Sequence, residues 1–366
     1  MYIFCNYIYD LIVSGIRMGD TIMKKLSRIV LCLALSFCSF SLFAQEKIVL
    51  KIGTIAPANS PWDVELKKLA AEWSKITNGT VSIQFQNITT LGGEKAAIQK
   101  MRSARPGQRA PLDGAVLSSI GLHESAPSAK VFTLSCPFLI RTQEELEEVI
   151  KNFGSSIEAE YKKAGLELLA WTNAGWIRFF TKDSYSDLAG LKRLKIACSG
   201  FDSPVLSNAL KIAGFTIEDM KSEKVSQSLK SASGVNGIFS VPMLTYLDGT
   251  YKNINYALAT RLCPVMAGLV LSSNSWSKIP SKYHAEMKAA LQRTVARLNS
   301  ELEVFDVQYT DLMKSKGVKQ IELTQAQTEQ WNQILTADMR RASNAYPDMF
   351  NLKLYDDIQK LLEKMR

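Results

Sequence analysis

The chain is poor in the side chains that usually carry chemistry. Its 366 residues include two histidines and six cysteines. Neither His123 nor His284 has a second His, Cys or carboxylate at metal-ligand spacing, so no metal site is expected. No G-x-S-x-G, phosphate-binding loop or G-x-G-x-x-G occurs, and Leu91-Gly92-Gly93 reads as a turn. Acidic residues are plentiful, yet none are paired as general acid and base. The expectation is therefore no catalytic residue and no cofactor, which disfavours an enzyme. There is also no internal repeat, no low-complexity tract and no basic run interleaved with aromatics, which argues against a nucleic-acid partner.

Long hydrophobic runs are scarce as well. The one near the start, Ile29 to Phe43, follows Met23-Lys24-Lys25 and Arg28 and ends at Gln45-Glu46-Lys47. A basic stretch followed by a short apolar run is the pattern of a secretory leader, and the run falls short of the roughly 20 residues a membrane span needs. Met23 is read as the start, residues 1 to 22 as upstream, and Ala44-Gln45 as the cut. Cys38 follows Leu35 at the spacing of a lipid-acylation box. Phe37 is too bulky for the position before a lipidated cysteine, and the residues after Cys38 stay apolar, so soluble periplasmic release is favoured over a lipid anchor. Without residues 1 to 44 the net charge falls from +9 to +7, spread over lysine-bearing helices. Cys136, Cys198 and Cys263 remain; odd in number and far apart, they argue against a disulfide framework and for small buried apolar residues.

The remaining length exceeds what one core usually supports, so two domains are expected. Val49-Leu50-Lys51-Ile52-Gly53 reads as a strand. Ser60 is placed to cap a helix whose first residue is Pro61, with Trp62 at the corner. Leu66, Leu69, Ala70 and Trp73 recur at helical spacing until Asn78-Gly79, and Val81, Ile83 and Phe85 alternate as a strand. With a helix through Met101 and a strand at Leu112 to Leu117, this is βαβα, hence a largely parallel sheet. Leu166 to Trp171 and Trp176 to Thr181 look like two further strands, and Met266 to Ser272 like a strand crossing back. Ile279-Pro280 opens a long helix reaching about Lys316, with Met287, Leu291, Val295 and Leu298 in heptad register. Two more helices follow, with Trp331, Ile334 and Leu335 on one face. His284 is expected to be solvated. No role is evident for the basic loop from Arg102 to Pro111.

Several short motifs then occur in a shared order: Lys51-Ile52-Gly53 with Ser60-Pro61, Thr77-Asn78-Gly79-Thr80-Val81, Leu91-Gly92-Gly93-Glu94, Leu112-Asp113-Gly114, Cys136-Pro137-Phe138-Leu139, Asp187-Leu188-Ala189-Gly190-Leu191-Lys192 and Val235-Asn236-Gly237. In this order they resemble the DctP-like solute-binding proteins of TRAP transporters over essentially the whole mature chain. Trp62, Gly121-Leu122 and Gly175-Trp176 look more like the branch associated with a tetratricopeptide-repeat partner protein. The resemblance implies an α/β periplasmic-binding-protein-like fold of two lobes about a cleft, with a long helix spanning both. It also implies a small organic ligand delivered to TRAP membrane permease subunits. Residues 45–172 with 254–290 would form lobe I, and 173–253 with 291–366 lobe II.

Departures from the family pattern bear on the cargo. In ordinary members an arginine in the strand after the D-L-x-G-L-K turn holds a substrate carboxylate, where a guanidinium fork can bind both oxygens. Here, with one extra residue, Lys195 falls at that position, and lysine lacks the fork. A second family arginine position is occupied by Ile177. Arg178 is adjacent, but strand alternation sends it to the other face. The polar residue after Val235-Asn236-Gly237 is also missing. The expected ligand is therefore hydrophobic or weakly polar, in a cleft walled by Trp62, Trp176, Ile177, Ile238 and Phe239; the competing reading packs these residues in the core. The full set of candidate contacts is Thr54, Pro57 and Trp62; Glu94; Leu117, Ser118 and Ser119; Trp176, Ile177 and Arg178; Lys195, Ala197 and Cys198; and Ile238, Phe239, Ser240 and Pro242. Two alternatives stay open: a carboxylate receptor using Lys195 or Arg193, and a non-transporting periplasmic scaffold or adhesin.

Overall fold

The computed structural model describes residues 47–104, 108–199 and 204–366. The leader, its cut and Cys38 lie outside the described residues. The chain opens with strand β1 (Ile48–Thr54), helix α1 (Pro61–Ile76) and strand β2 (Val81–Asn87). Helix α2 (Gly93–Arg102), strand β3 (Gly114–Ser118), helices α3 (Ser119–Ser125) and α4 (Gln143–Lys163), and strand β4 (Leu166–Trp176) follow. The middle section runs through β5 (Arg178–Thr181), α5 (Leu188–Arg193), β6 (Lys195–Ser199), α6 (Pro204–Ile212), β7 (Thr216–Met220) and α7 (Ser222–Lys230). Then come β8 (Gly237–Ser240), α8 (Pro242–Leu247), β9 (Tyr256–Leu258) and β10 (Pro264–Ser272). The long helix α9 (His284–Ser315), β11 (Lys319–Ile321), α10 (Gln325–Ala345) and α11 (Leu352–Leu362) complete it.

Local chemistry explains the boundaries. The Ser60 hydroxyl accepts the amide of Asp63 at 3.3 Å and Pro61 occupies the first turn, which together start α1. Thr324 and Gln327 form a reciprocal capping box at the start of α10. Leu66, Leu69 and Trp73 bury one face of α1, and the Trp73 indole donates to the Met287 carbonyl of α9 at 3.0 Å.

Two sheets result. The first has the order β2-β1-β3-β10-β4 and the second β11-β9-β5-β8-β6-β7. In the first, β1 runs parallel to β2 and β3, but β10 is antiparallel to both β3 and β4. The expected parallel sheet is therefore half antiparallel. The strand order explains why: β4 and β10 are the segments that leave for and return from the second sheet.

The chain changes sheet at Ile177 and again between Leu258 and Pro264, and the two crossings are bonded to each other. Ile177 donates to the Cys263 carbonyl and Leu262 to the Ile177 carbonyl, both at 2.9 Å. The lobe boundaries differ accordingly from those expected. Strand β9 pairs in the second sheet, beside β5 and β11. Helix α11 returns to the first lobe, where Leu354, Tyr355 and Ile358 join the core formed by Leu112, Leu122 and Val149.

Helix α9 packs on α1, β4 and α8. A buried ion pair fixes it to the crossing, with Arg178 on β5 donating to Asp306 on α9 at 2.6 Å. Arg261, on the returning segment, reaches the same carboxylate at 2.8 Å and Glu303 at 2.7 Å. Two further sequence expectations are corrected, and a contact appears in the loop that had none assigned. Trp331 and Leu335 are buried in the second lobe, but Ile334 is 37% exposed because it points between turns of the buried stripe. His284 is half-buried and stacked on Trp276, ring centres 4.1 Å apart. In the loop without an evident role, Arg109 pairs with the buried Asp113 at 2.7 Å and so ties that loop to the first sheet.

Removing the shared carboxylate leaves the buried Arg178 guanidinium without its anion, while Arg261 keeps Glu303. Asp306→Ala should therefore lower unfolding free energy by about 3–5 kcal/mol, measured by urea denaturation of the leader-free chain. A loss under about 1 kcal/mol would show that the pair is solvated.

Candidate functional site

Two adjoining cavities lie between the sheets. The larger, about 450 Å³, is walled on one side by Pro57, Trp62, Glu94 and Trp171. Its opposite wall is Ile177, Ile238, Phe239 and Ser240, with Leu244 and Asp248 at the far end. Helix α9 supplies a third wall through Leu291, Val295 and Leu298. The smaller cavity, about 190 Å³, is lined by aromatic and aliphatic groups from α6, the crossing strands and the C-terminal helices. Ser118, Ile177, Phe239 and Val265 face both.

Glu94 is the best-defined polar group. One oxygen accepts the Ser118 amide at 2.6 Å and the other the Ser118 hydroxyl at 2.7 Å. A Cβ on Gly121 would overlap the Glu94 carboxyl, so a larger residue there would push that side chain from its place. Desolvation pushes the Glu94 pKa above the ordinary carboxylate range, against the opposing pull of the Ser118 hydroxyl and the Ser118 and Gly121 amides. Asp248 caps α8 and accepts the Thr250 amide at 2.8 Å; desolvation raises its pKa too.

Of the expected contacts, the fold brings Pro57, Trp62, Glu94, Ser118, Ile177, Ile238, Phe239 and Ser240 to the larger cavity. Ser119 faces the smaller one. The others do not line either cavity, each for a local reason. Thr54 is buried, its hydroxyl accepting the Ala56 amide at 3.1 Å. Leu117 alternates into the core of the first lobe. Trp176 is fully buried, with the Arg261 guanidinium 5.4 Å from its ring centre, so the expected wall residue packs in the core. Arg178 points away from the cleft toward Asp306, as strand alternation requires. Lys195 is 41% exposed in its side chain and donates to the Ser233 carbonyl at 3.2 Å. Ala197 packs against Phe180 and Val225, and Cys198 is buried, its thiol pushed up to about 12. Pro242 is buried at the first turn of α8.

Sequence reading missed the wall supplied by α9. The heptad stripe of Leu291, Val295 and Leu298 was visible, but a core seam and a cavity wall carry the same pattern. The smaller cavity had no sequence signal, because Phe215, Met349 and Phe350 come together only through tertiary packing. Among the described residues, no group of three His, Cys, Asp or Glu could hold a metal ion.

Two sheets joined by a bonded pair of crossing strands, spanned by one long helix and enclosing a cavity, define a two-lobed solute-binding protein. The DctP family of bacterial extracellular solute-binding proteins, family 7, matches residues 52–345. The chain belongs to that family, the TRAP-transporter receptors its motifs resemble. No curated protein sequence matches it. Among solved structures it is similar to a TRAP periplasmic solute-binding protein from Ochrobactrum anthropi, with its C-terminus bound in the ligand-binding pocket. That match has 17% identity and a TM-score of 0.75, over 88% of this chain and 96% of that one. It is also similar to one from Desulfovibrio salexigens with bound orotic acid, at 16% identity and a TM-score of 0.72, over 86% of this chain and 100% of that one. A third, from Chromohalobacter salexigens with bound D-glucuronate, shares 19% identity with a TM-score of 0.72, over 85% of this chain and 99% of that one.

The raised pKa of Glu94 gives stability a pH dependence. The folded state holds this proton more tightly than the unfolded chain, where a glutamate titrates near about 4.3. The stabilisation is complete below that unfolded pKa and is lost as pH rises through the higher folded value. The stability of the wild type relative to Glu94→Gln should therefore decline as pH increases from about 4, read from urea midpoints at successive pH values. A difference that is flat with pH would contradict the assignment.

Proposed function

We propose that this chain is the extracytoplasmic receptor of a TRAP-type secondary transporter, and that it binds a hydrophobic or weakly polar organic molecule in the interlobe cavity for delivery to membrane permease subunits. Export by the leader, soluble release, and association with a tetratricopeptide-repeat protein belong to the same proposal. The leader pattern supports the first two, and Trp62, Gly121-Leu122 and Gly175-Trp176 support the third. Closure would be a hinge motion of the lobes about the crossing at Ile177, with the ligand between them.

One observation carries the ligand class. Among the described lining residues of both cavities there is no lysine or arginine, and the charged groups are the acids Glu94, Asp248 and Asp338. Asp338 is already paired with Lys192 and Arg341. A carboxylate ligand would have to give up its water with no cation to replace it, which is unfavourable. The guanidinium nearest in sequence, that of Arg178, is held by Asp306.

A carboxylate receptor is the second reading, favoured by the orotic acid and D-glucuronate bound in the two similar structures. Those proteins share the fold at identities too low to carry over their cleft side chains. In this chain the reading would need Lys195 or Arg193 to turn inward from the surface.

Calorimetric titration of the leader-free protein separates the readings. Neutral apolar ligands such as aliphatic and aromatic alcohols should bind and raise the melting temperature, whereas D-glucuronate and orotate should not, and Lys195→Ala should leave binding unchanged. Micromolar binding of a sugar acid that Lys195→Ala abolishes would establish the carboxylate reading instead. Binding of neither class would favour the scaffold or adhesin.

A further inference from the structure

We infer that the two cavities form one bipartite site and that its ligand is a linear, uncharged amphiphile, with an alkyl chain in the smaller cavity and a hydrogen-bonding head in the larger. This rests on the apolar-ligand reading above and specifies the shape and polarity of that ligand. The two cavities adjoin along a wall that they share, Ser118, Ile177, Phe239 and Val265, so a ligand that parts these side chains would reach both. Two of these residues, Ile177 and Val265, belong to the segments that cross between sheets, so the shared wall lies at the crossing.

Among the described residues, the smaller cavity offers a polar head no free hydroxyl proton and little polar surface. The Ser119 hydroxyl donates to the Met266 carbonyl at 3.2 Å and accepts the Met266 amide at 2.9 Å. The Ser135 hydroxyl donates to the Pro264 carbonyl at 2.9 Å. The Ser118 hydroxyl donates to Glu94, and Asp338 is neutralised by its two cations. What remains is the apolar surface of Phe132, Phe179, Phe215, Leu210 and Met339. A polar group placed there would lose its water without replacement, while an alkyl chain would lose nothing. The space suffices: an apolar cavity of roughly 150 Å³ accommodates a benzene ring, and this one measures about 190 Å³.

The larger cavity is different. The Ser240 hydroxyl has no protein partner among the described residues, and the Glu94 carboxyl lies across from it in the same space. These suit a hydroxyl or amide head. They do not suit an anion, which would meet two acids.

The test uses n-alkanols from butanol to decanol with the leader-free wild type and with Ala209→Phe and Ala342→Leu, each of which fills the smaller cavity from a different helix. Binding is read by calorimetry and by the fluorescence of Trp62 and Trp171. In the wild type the dissociation constant should fall roughly fourfold per added methylene until the chain fills both cavities. In both variants butanol should bind as in the wild type, while the gain from longer chains disappears; retained butanol binding also shows that the variants fold. Equal decanol affinity in wild type and both variants would overturn the bipartite site and leave the apolar-cleft reading standing. Loss of butanol binding in folded variants would overturn the placement of the head. Failure of every alkanol to bind the wild type would overturn both the bipartite site and the reading beneath it.

Discussion

The buried pair between Arg178 and Asp306 is the interaction on which most of this structure depends. It joins the first residue of β5, immediately past the crossing between sheets, to the C-terminal third of the long helix that packs on both lobes. Arg261 brings the returning segment to the same carboxylate and lays its guanidinium over Trp176. The pair is not perfectly satisfied, since Arg178 Nε and Asp306 Oδ1 are buried without partners. A buried ion pair with incomplete hydrogen bonding adds little to net stability over an apolar replacement, although breaking it is costly. Its effect here is one of position: it fixes where β5 meets α9, and it holds away from the cleft the one guanidinium that strand order places beside it.

That placement follows from strand geometry. Ile177 and Arg178 are consecutive, so they point to opposite faces, and the apolar side chain takes the cleft. The amides of Ile177 and Leu262 lock the two crossing strands together at this position. A hinge made of two hydrogen-bonded extended segments can rotate with little rearrangement of either sheet. Ile177 therefore belongs both to this bonded crossing and to the wall that the two cavities share.

Much of this was legible in the chain. Ser60 and Pro61 specify the start of α1, and Arg178 could be assigned to the far face from alternation alone. The polar anchors missing from their expected positions were visible as Ile177 and Ile238. What the sequence hid has physical reasons. The antiparallel placement of β10 depends on the return from the second sheet, which leaves no local trace. Trp176 and Trp62 are the same residue type, yet one is enclosed beneath Arg261 and the other faces a cavity, because burial of a large aromatic is decided by its tertiary neighbours. The stripe of Leu291, Val295 and Leu298 is a helix face seeking apolar company, and periodicity does not say whether that company is protein or ligand.

The central claim is that this receptor carries an uncharged, apolar cargo, although two similar solved structures hold orotic acid and D-glucuronate, because the described lining of its cavities contains acids and no lysine or arginine. The most direct measurement is to isolate the protein gently from its own host, extract the bound small molecules and identify them by mass spectrometry. The account predicts a stoichiometric neutral molecule with an extended hydrocarbon portion. Recovery of a sugar acid or another small carboxylate in stoichiometric amount would contradict it.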